Sequence, residues 1–186
     1  MATSLRFAAN LSMLFTELPL ESRFGAAAQA GFKAVEIQFP YDHSVNALKS
    51  GLAENNLELT LHNLPAGDWK DGARGLAIFP DRIEAFRDSV SEAVSYASQL
   101  HCRKLNCLAG IAEYPEKSDI YFDTFVSNLR YATDALGPYD IDVLIEPINT
   151  LDVPGFFLNG LSQALDVIEA VARDNIRLQF DVYHMH

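Results

Sequence analysis

Ile141-Asp142-Val143-Leu144-Ile145-Glu146-Pro147 is a short apolar run that stops on a carboxylate and is closed by proline. It reads as a buried strand with Glu146 at its mouth. Five more segments of this kind stand along the chain: Leu5 to Asn10, Lys33 to Gln38, Leu57 to Asn63, Arg103 to Ala109 and Ile176 to Asp181. Amphipathic helical patterns separate them. The clearest runs from Arg82 to Leu100, with Ile83, Phe86, Val90, Ala93, Val94, Ala97 and Leu100 on one stripe and Asp81 with Glu84 as a capping box. A first helix is expected from about Glu17 to Ala30, capped by Thr16, with Pro19 in its first turn and Gly31 as a left-handed stop. Others span about Ser118 to Leu136 and Leu161 to Ala172.

Strand and helix in strict alternation predict an α/β protein, a parallel sheet with helices packed over it. A dinucleotide-binding sheet would carry G-x-G-x-x-G after its first strand, where Asn10-Leu11-Ser12-Met13-Leu14 stands instead, so no nucleotide cofactor is expected. A unit roughly every 34 residues, against roughly 250 residues for eight units, points to a (β/α)8 barrel of the TIM type. About six of its eight β/α units would be present, with residues 1–186 forming a single incomplete domain.

The formal charge is −11, from 25 acids against 14 bases. Such a balance repels a nucleic-acid backbone and disfavours anionic membranes. It still allows a small anionic substrate, because local groups or a metal override the mean field. No apolar run approaches the roughly 18 residues of a membrane helix. The N-terminal residues lack a charged start followed by an apolar stretch, so the expected location is cytoplasmic. Cys102 and Cys107 have no partner pair and read as free thiols.

Parallel α/β proteins build their sites at the carboxyl ends of strands. There stand Asn10, then Glu36 and Gln38, His62 and Asn63, Glu146 and Asn149, Asp181 and His184. The fourth strand, ending Asn106-Cys107-Leu108-Ala109-Gly110, offers little that ionises. Glu146 alone could be paired with a basic neighbour. Together with Asp181 on the next strand it forms half of an open site for a hard divalent cation. His184 could bind metal, donate to a substrate oxygen or sit on a loop surface, while His186 is expected to fray. His62 and Glu36 read equally as substrate contacts or as satisfied buried groups. The connection Leu64-Pro65-Ala66-Gly67-Asp68-Trp69-Lys70 is a lid or a surface insertion, and Pro154-Gly155-Phe156-Phe157-Leu158 an exposed apolar loop suited to a lid or subunit contact.

Four stretches, Arg6 to Phe15, Asn63 to Trp69, Ile145-Glu146-Pro147-Ile148-Asn149 and Asp181-Val182-Tyr183-His184-Met185, together resemble the hydroxypyruvate isomerases, within the xylose-isomerase-like TIM barrels. The resemblance runs along the whole chain with the motifs in order. It implies an isomerase that interconverts hydroxypyruvate and 2-hydroxy-3-oxopropanoate (tartronate semialdehyde). A base takes the proton beside the carbonyl and returns it to the neighbouring carbon through an enediolate, whose charge a divalent metal, Mg2+ or Mn2+, stabilises. It further implies that Glu146 is catalytic and a metal ligand, that Asp181 is a metal ligand, and that His184, His62 and Asn10 meet the substrate. A small hydroxy-keto acid is then the partner, with a homo-oligomer left open.

The same resemblance puts a further ligand and a second catalytic glutamate beyond His186, where this chain has none, and glutamine at the place of His186. A truncated form with little or no activity is therefore expected. Competing readings are a ketose 3-epimerase of the same fold and a non-enzymatic partial barrel that associates with a partner chain. An endonuclease of this fold needs many metal-binding histidines and a basic surface, and five histidines with a charge of −11 count against it.

Overall fold

The computed structural model describes residues 5–185. The expectation for His186 therefore lies outside the described residues. Six strands alternate with five α-helices among them, and the chain divides into two compact units. One unit takes the chain as far as His62 together with Tyr96–Arg103, and the other takes Asn63–Ser95 and everything from Lys104 onward.

The first unit holds β1 (Ala8–Asn10), α1 (Leu20–Gln29), β2 (Ala34–Glu36), α2 (Val45–Glu54) and β3 (Glu58–Asn63, whose last residue opens the second unit). β1 and β2 pair in parallel from Ala8↔Ala34 to Asn10↔Glu36. β2 and β3 are also parallel, but the register slips between Val35 and Glu36. The extra residue there is Thr60, whose hydroxyl donates to the Val35 carbonyl at 3.1 Å.

Thr16 does not cap α1. The helix starts at Leu20 and Pro19 occupies the cap in extended conformation, with no side-chain bond, because the proline ring holds the lead-in at φ −62°. Gly31 does take the left-handed stop, at φ +94°. In α2 the Ser44 hydroxyl accepts from the Ala47 N–H at 3.2 Å, an N-cap in the usual sense. α1 and α2 meet where Gly51 faces Phe24; a Cβ there would lie 2.6 Å from the ring, so only glycine permits this approach.

The second unit holds β4 (Lys104–Asn106), α4 (Ser118–Leu136), β5 (Asp142–Ile145), α5 (Leu161–Val171) and β6 (Ile176–Leu178). β4–β5 and β5–β6 pair in parallel, with Asn106↔Leu144 and Ile145↔Leu178 at the carboxyl ends. α3 (Ile83–Leu100) begins in this unit and ends in the first. Its stripe is buried at Phe86, Val90, Ala93, Ala97 and Leu100. The capping box does not form: Asp81 lies inside a 3-10 turn over Pro80–Arg82, and Glu84 accepts from Arg87 at 2.9 Å instead of reaching back.

α4 keeps its expected bounds and buries Tyr121, Phe125, Val126, Leu129, Ala132 and Leu136. Each large side chain so buried contributes roughly 1.5–3 kcal/mol. The Pro154–Leu158 segment departs from expectation. Phe156, Phe157 and Leu158 are buried at 1%, 6% and 0% exposure. Phe157 meets Tyr121 and Phe125 edge to face, and its N–H donates to the Gly110 carbonyl at 2.9 Å. Phe156, Phe157 and Leu158 are core, while Pro154 and Gly155 stay exposed. Both cysteines are free and buried, and burial pushes the Cys107 thiol up to about 12. No helix among the described residues is long and apolar enough to cross a membrane.

Candidate active site

Glu146 follows the last residue of β5, and the chain turns away at Pro147. Its side chain is 8% exposed. Asn106, at the end of β4 and 1% exposed, donates its amide to Glu146 Oε2 at 2.9 Å. In the parallel register Asn106 stands beside Leu144, so Glu146, two residues on, points to the same face. Continuing the β5–β6 register one step sets Gln179 opposite Glu146, and the Gln179 N–H donates to the Ile145 carbonyl at 2.9 Å. Asp181, two residues further, then shares that face.

Past β6 the chain folds into a tight turn. Asp181 Oδ1 accepts from the Tyr183 N–H at 2.8 Å and the Asp181 carbonyl from the His184 N–H at 3.1 Å. The turn returns His184 toward the strand ends. Ligand atoms of Glu146, Asp181 and His184 all lie within 4.8 Å of one another. His184 Nε2 is 3.8 Å from Asp181 Oδ2, too far for a hydrogen bond. Its Nδ1 instead lies 2.9 Å from Asn149 Nδ2.

Asn149 is itself held on every side. Its Oδ1 accepts from the Leu151 and Asp152 N–H groups at 3.0 and 2.9 Å, and its Nδ2 also donates to Asp152 Oδ2 at 2.9 Å. Hydrogen bonds from Asn149 and Tyr183 keep the Asp152 carboxyl below the usual range, and Asp152 in turn raises the Tyr183 phenol. Two carboxylates this close repel unless a cation lies between them. An oxygen-rich pair on rigid strand ends suits a hard divalent ion.

The first unit treats its strand-end residues differently. Asn10 Nδ2 lies 3.5 Å from Glu36 Oε2, and Asn10 Oδ1 accepts from the Ser12 N–H at 3.0 Å. His62 is 1% exposed, with Nδ1 3.1 Å from the Tyr41 hydroxyl and the two rings edge to face. Trp69, 41% exposed, carries the Arg74 guanidinium on its ring at 4.0 Å. Its loop lines a cavity of ≈ 750 Å³ within the second unit, with Arg74, Arg82, Glu113 and Lys117 on the walls. Asn106 carries no mark in the sequence beyond being an amide on a strand that offers little that ionises; its role comes from Glu146, 40 positions away. Asp152 and Tyr183 were missed because their roles arise from the loop contacts around Asn149.

Residues 24–186 match the xylose isomerase-like TIM barrel family. The chain belongs to that family. Over 97% of its length it is 52% identical to hydroxypyruvate isomerase of Escherichia coli, of which it spans 70%. It is 40% identical over 96% of its length to a 2-oxo-tetronate isomerase of Cupriavidus necator, spanning 69% of that protein. Among solved structures, one described as an AP endonuclease of family 2 from Brucella melitensis superposes with a TM-score of 0.94 at 43% identity, covering 97% of this chain and 69% of that one. The fold is thus α/β of the TIM-barrel type, and both of these curated relatives are isomerases.

Proposed function

We propose that this chain carries the proton-transfer face of a hydroxypyruvate isomerase, which interconverts hydroxypyruvate and 2-hydroxy-3-oxopropanoate. The observation that carries the reading is the gathering of Glu146, Asp181 and His184 at adjacent strand ends in a chain 52% identical to an enzyme of that name. Glu146 is the base. It takes a proton from the hydroxyl-bearing carbon beside the ketone and, as the acid, gives one to the neighbouring carbon, while the hydroxyl proton passes to the former ketone oxygen, so that the carbonyl moves one place and the atoms balance. Asn106 holds the carboxylate at a fixed angle through its amide. Glu146 and Asp181 would hold a divalent cation, Mg2+ or Mn2+. When bound, such an ion supplies positive charge against the negative charge that develops on the substrate oxygens. His184 offers a ring nitrogen to a substrate oxygen, and the burial of Glu146 holds its carboxylate away from bulk water.

The compartment is read as the cytoplasm, since two buried free thiols fit a reducing environment. A net charge of −11 weighs against a nucleic-acid substrate. A second reading, a 2-oxo-tetronate isomerase, is favoured by relatives of that name at 40% identity. The test is an isomerase assay on hydroxypyruvate and on 2-oxo-tetronate, with added Mn2+ or Mg2+. A higher kcat/KM on hydroxypyruvate supports the first reading. The reverse preference supports the second; because little turnover is expected of this chain, substrate binding is titrated alongside, and a chain that binds neither compound refutes both.

A further inference from the structure

Asn149 decides what His184 can do. Its Oδ1 accepts two backbone N–H groups, from Leu151 and Asp152, so turning the amide over would set donor against donor twice. The Nδ2 end therefore faces Asp152 Oδ2 and His184 Nδ1, each at 2.9 Å. A nitrogen that receives an N–H cannot carry a proton of its own. The proton of the neutral ring must then sit on Nε2, the nitrogen turned toward Asp181. An Nε2 that bears hydrogen has no lone pair for a metal.

We infer that Asn149 is a positioning residue that fixes His184 in the Nε2–H tautomer, making it a hydrogen-bond donor to a substrate oxygen and withholding it from the metal. Proximity alone makes His184 a third ligand beside Glu146 and Asp181, but the hydrogen-bond network assigns it the opposite role. Asp152 is part of the device. Its carboxylate accepts from the same Asn149 amide and from the Tyr183 hydroxyl, one residue before His184. The role given to substrate contact rests on the isomerase reading, whereas the tautomer does not.

The direct test is nitrogen NMR of the histidine-labelled chain, with the His184 resonances identified by their loss in His184→Gln. The expected result is hydrogen on Nε2 and a bare Nδ1. Hydrogen on Nδ1 would overturn the inference whatever the enzyme catalyses. The functional arm uses Asn149→Asp combined with Asp152→Asn. This exchange keeps the Oδ1 acceptor for both backbone N–H groups and keeps an amide–carboxylate contact between the two positions, so the loop retains its bonds. A carboxylate now faces Nδ1 and draws the proton there, which frees the Nε2 lone pair.

Mn2+ affinity, titrated with the metal alone, should then rise about tenfold, while hydroxypyruvate binds about tenfold more weakly. A purely structural role for Asn149 would weaken both, and that outcome refutes the proposal. If wild-type protein shows the Nε2–H form yet binds no hydroxypyruvate, the isomerase reading fails and the tautomer assignment stands.

Discussion

At the end of β1 and β2, Asn10 and Glu36 lie side by side in register, and at the end of β3 the His62 ring rests against Tyr41. At the end of β5 and β6, Glu146 and Asp181 bring two carboxylates within 4.8 Å, with a histidine beside them. Both regions place polar residues at the mouths of parallel strands. In the first an amide stands beside the acid and a phenol beside the imidazole, so complementary groups meet. In the second two like charges meet, an arrangement that stability alone would not favour. Polar residues at strand ends are thus a weak sign of chemistry, whereas unfavourable crowding of them is a strong one.

The sharpest way to break this contrast is to neutralise one acid in each region. Glu146→Gln keeps the shape and removes the base, and kcat on hydroxypyruvate should fall by about 10²–10⁴. Glu36→Gln should change kcat by less than about tenfold. Steady-state kinetics of both variants decides the matter, and equal losses would mean that the two strand ends are not functionally distinct. Phe125→Ala tests the scaffold beneath the second region. This ring is fully buried against Phe157, and its removal should lower unfolding free energy by about 3–5 kcal/mol in urea titrations. A loss under about 1 kcal/mol would mean that the Pro154–Leu158 segment is not packed as described. Asp181→Asn tests the cation. At free Mn2+ of about 100 times Kd a native-state site gains about 2.7 kcal/mol, seen as a rise in melting temperature. That rise should shrink by more than half in Asp181→Asn and survive intact in Glu36→Gln. An unchanged rise in Asp181→Asn would remove Asp181 from the metal site.

Much of the architecture could be read in the sequence because it depends on local periodicity. The stripe Phe86, Val90, Ala93, Ala97, Leu100 repeats at helical spacing, and α4 runs from Ser118 to Leu136 as its pattern indicates. Helix starts were less legible. Thr16 and Asp81 have the right chemistry for caps, but Pro19 and the turn over Pro80–Arg82 set the helix entry by backbone geometry. The Pro154–Leu158 loop misled because an apolar loop carries no mark of what will cover it. Here the covering rings come from Tyr121 and Phe125, more than 30 positions away on α4. At the site, Glu146, Asp181 and His184 were legible as strand-end residues. Asn106 and the Asn149 network were not, since an amide acquires meaning only from the groups it faces.

The smallest effect expected lies away from both strand-end regions, at the Arg173–Asp134 pair between α4 and the end of α5. Arg173 grips the carboxylate with two nitrogens, at 2.7 and 3.1 Å. The bond to Arg173 lowers the Asp134 pKa in the folded protein below its unfolded value. The folded state therefore binds the proton less readily than the unfolded chain does. The contribution to stability is fully present above the unfolded value, near pH 4, and is lost as pH falls through the lower folded value. Both groups are solvent-exposed, so the effect is small and salt weakens it. Asp134→Asn should lower the denaturation midpoint slightly at pH 7 in low salt, and the difference from wild type should close as the solution is acidified below pH 4. A difference that persists unchanged at acid pH would show that Asp134 acts through packing of its stem and not through its charge.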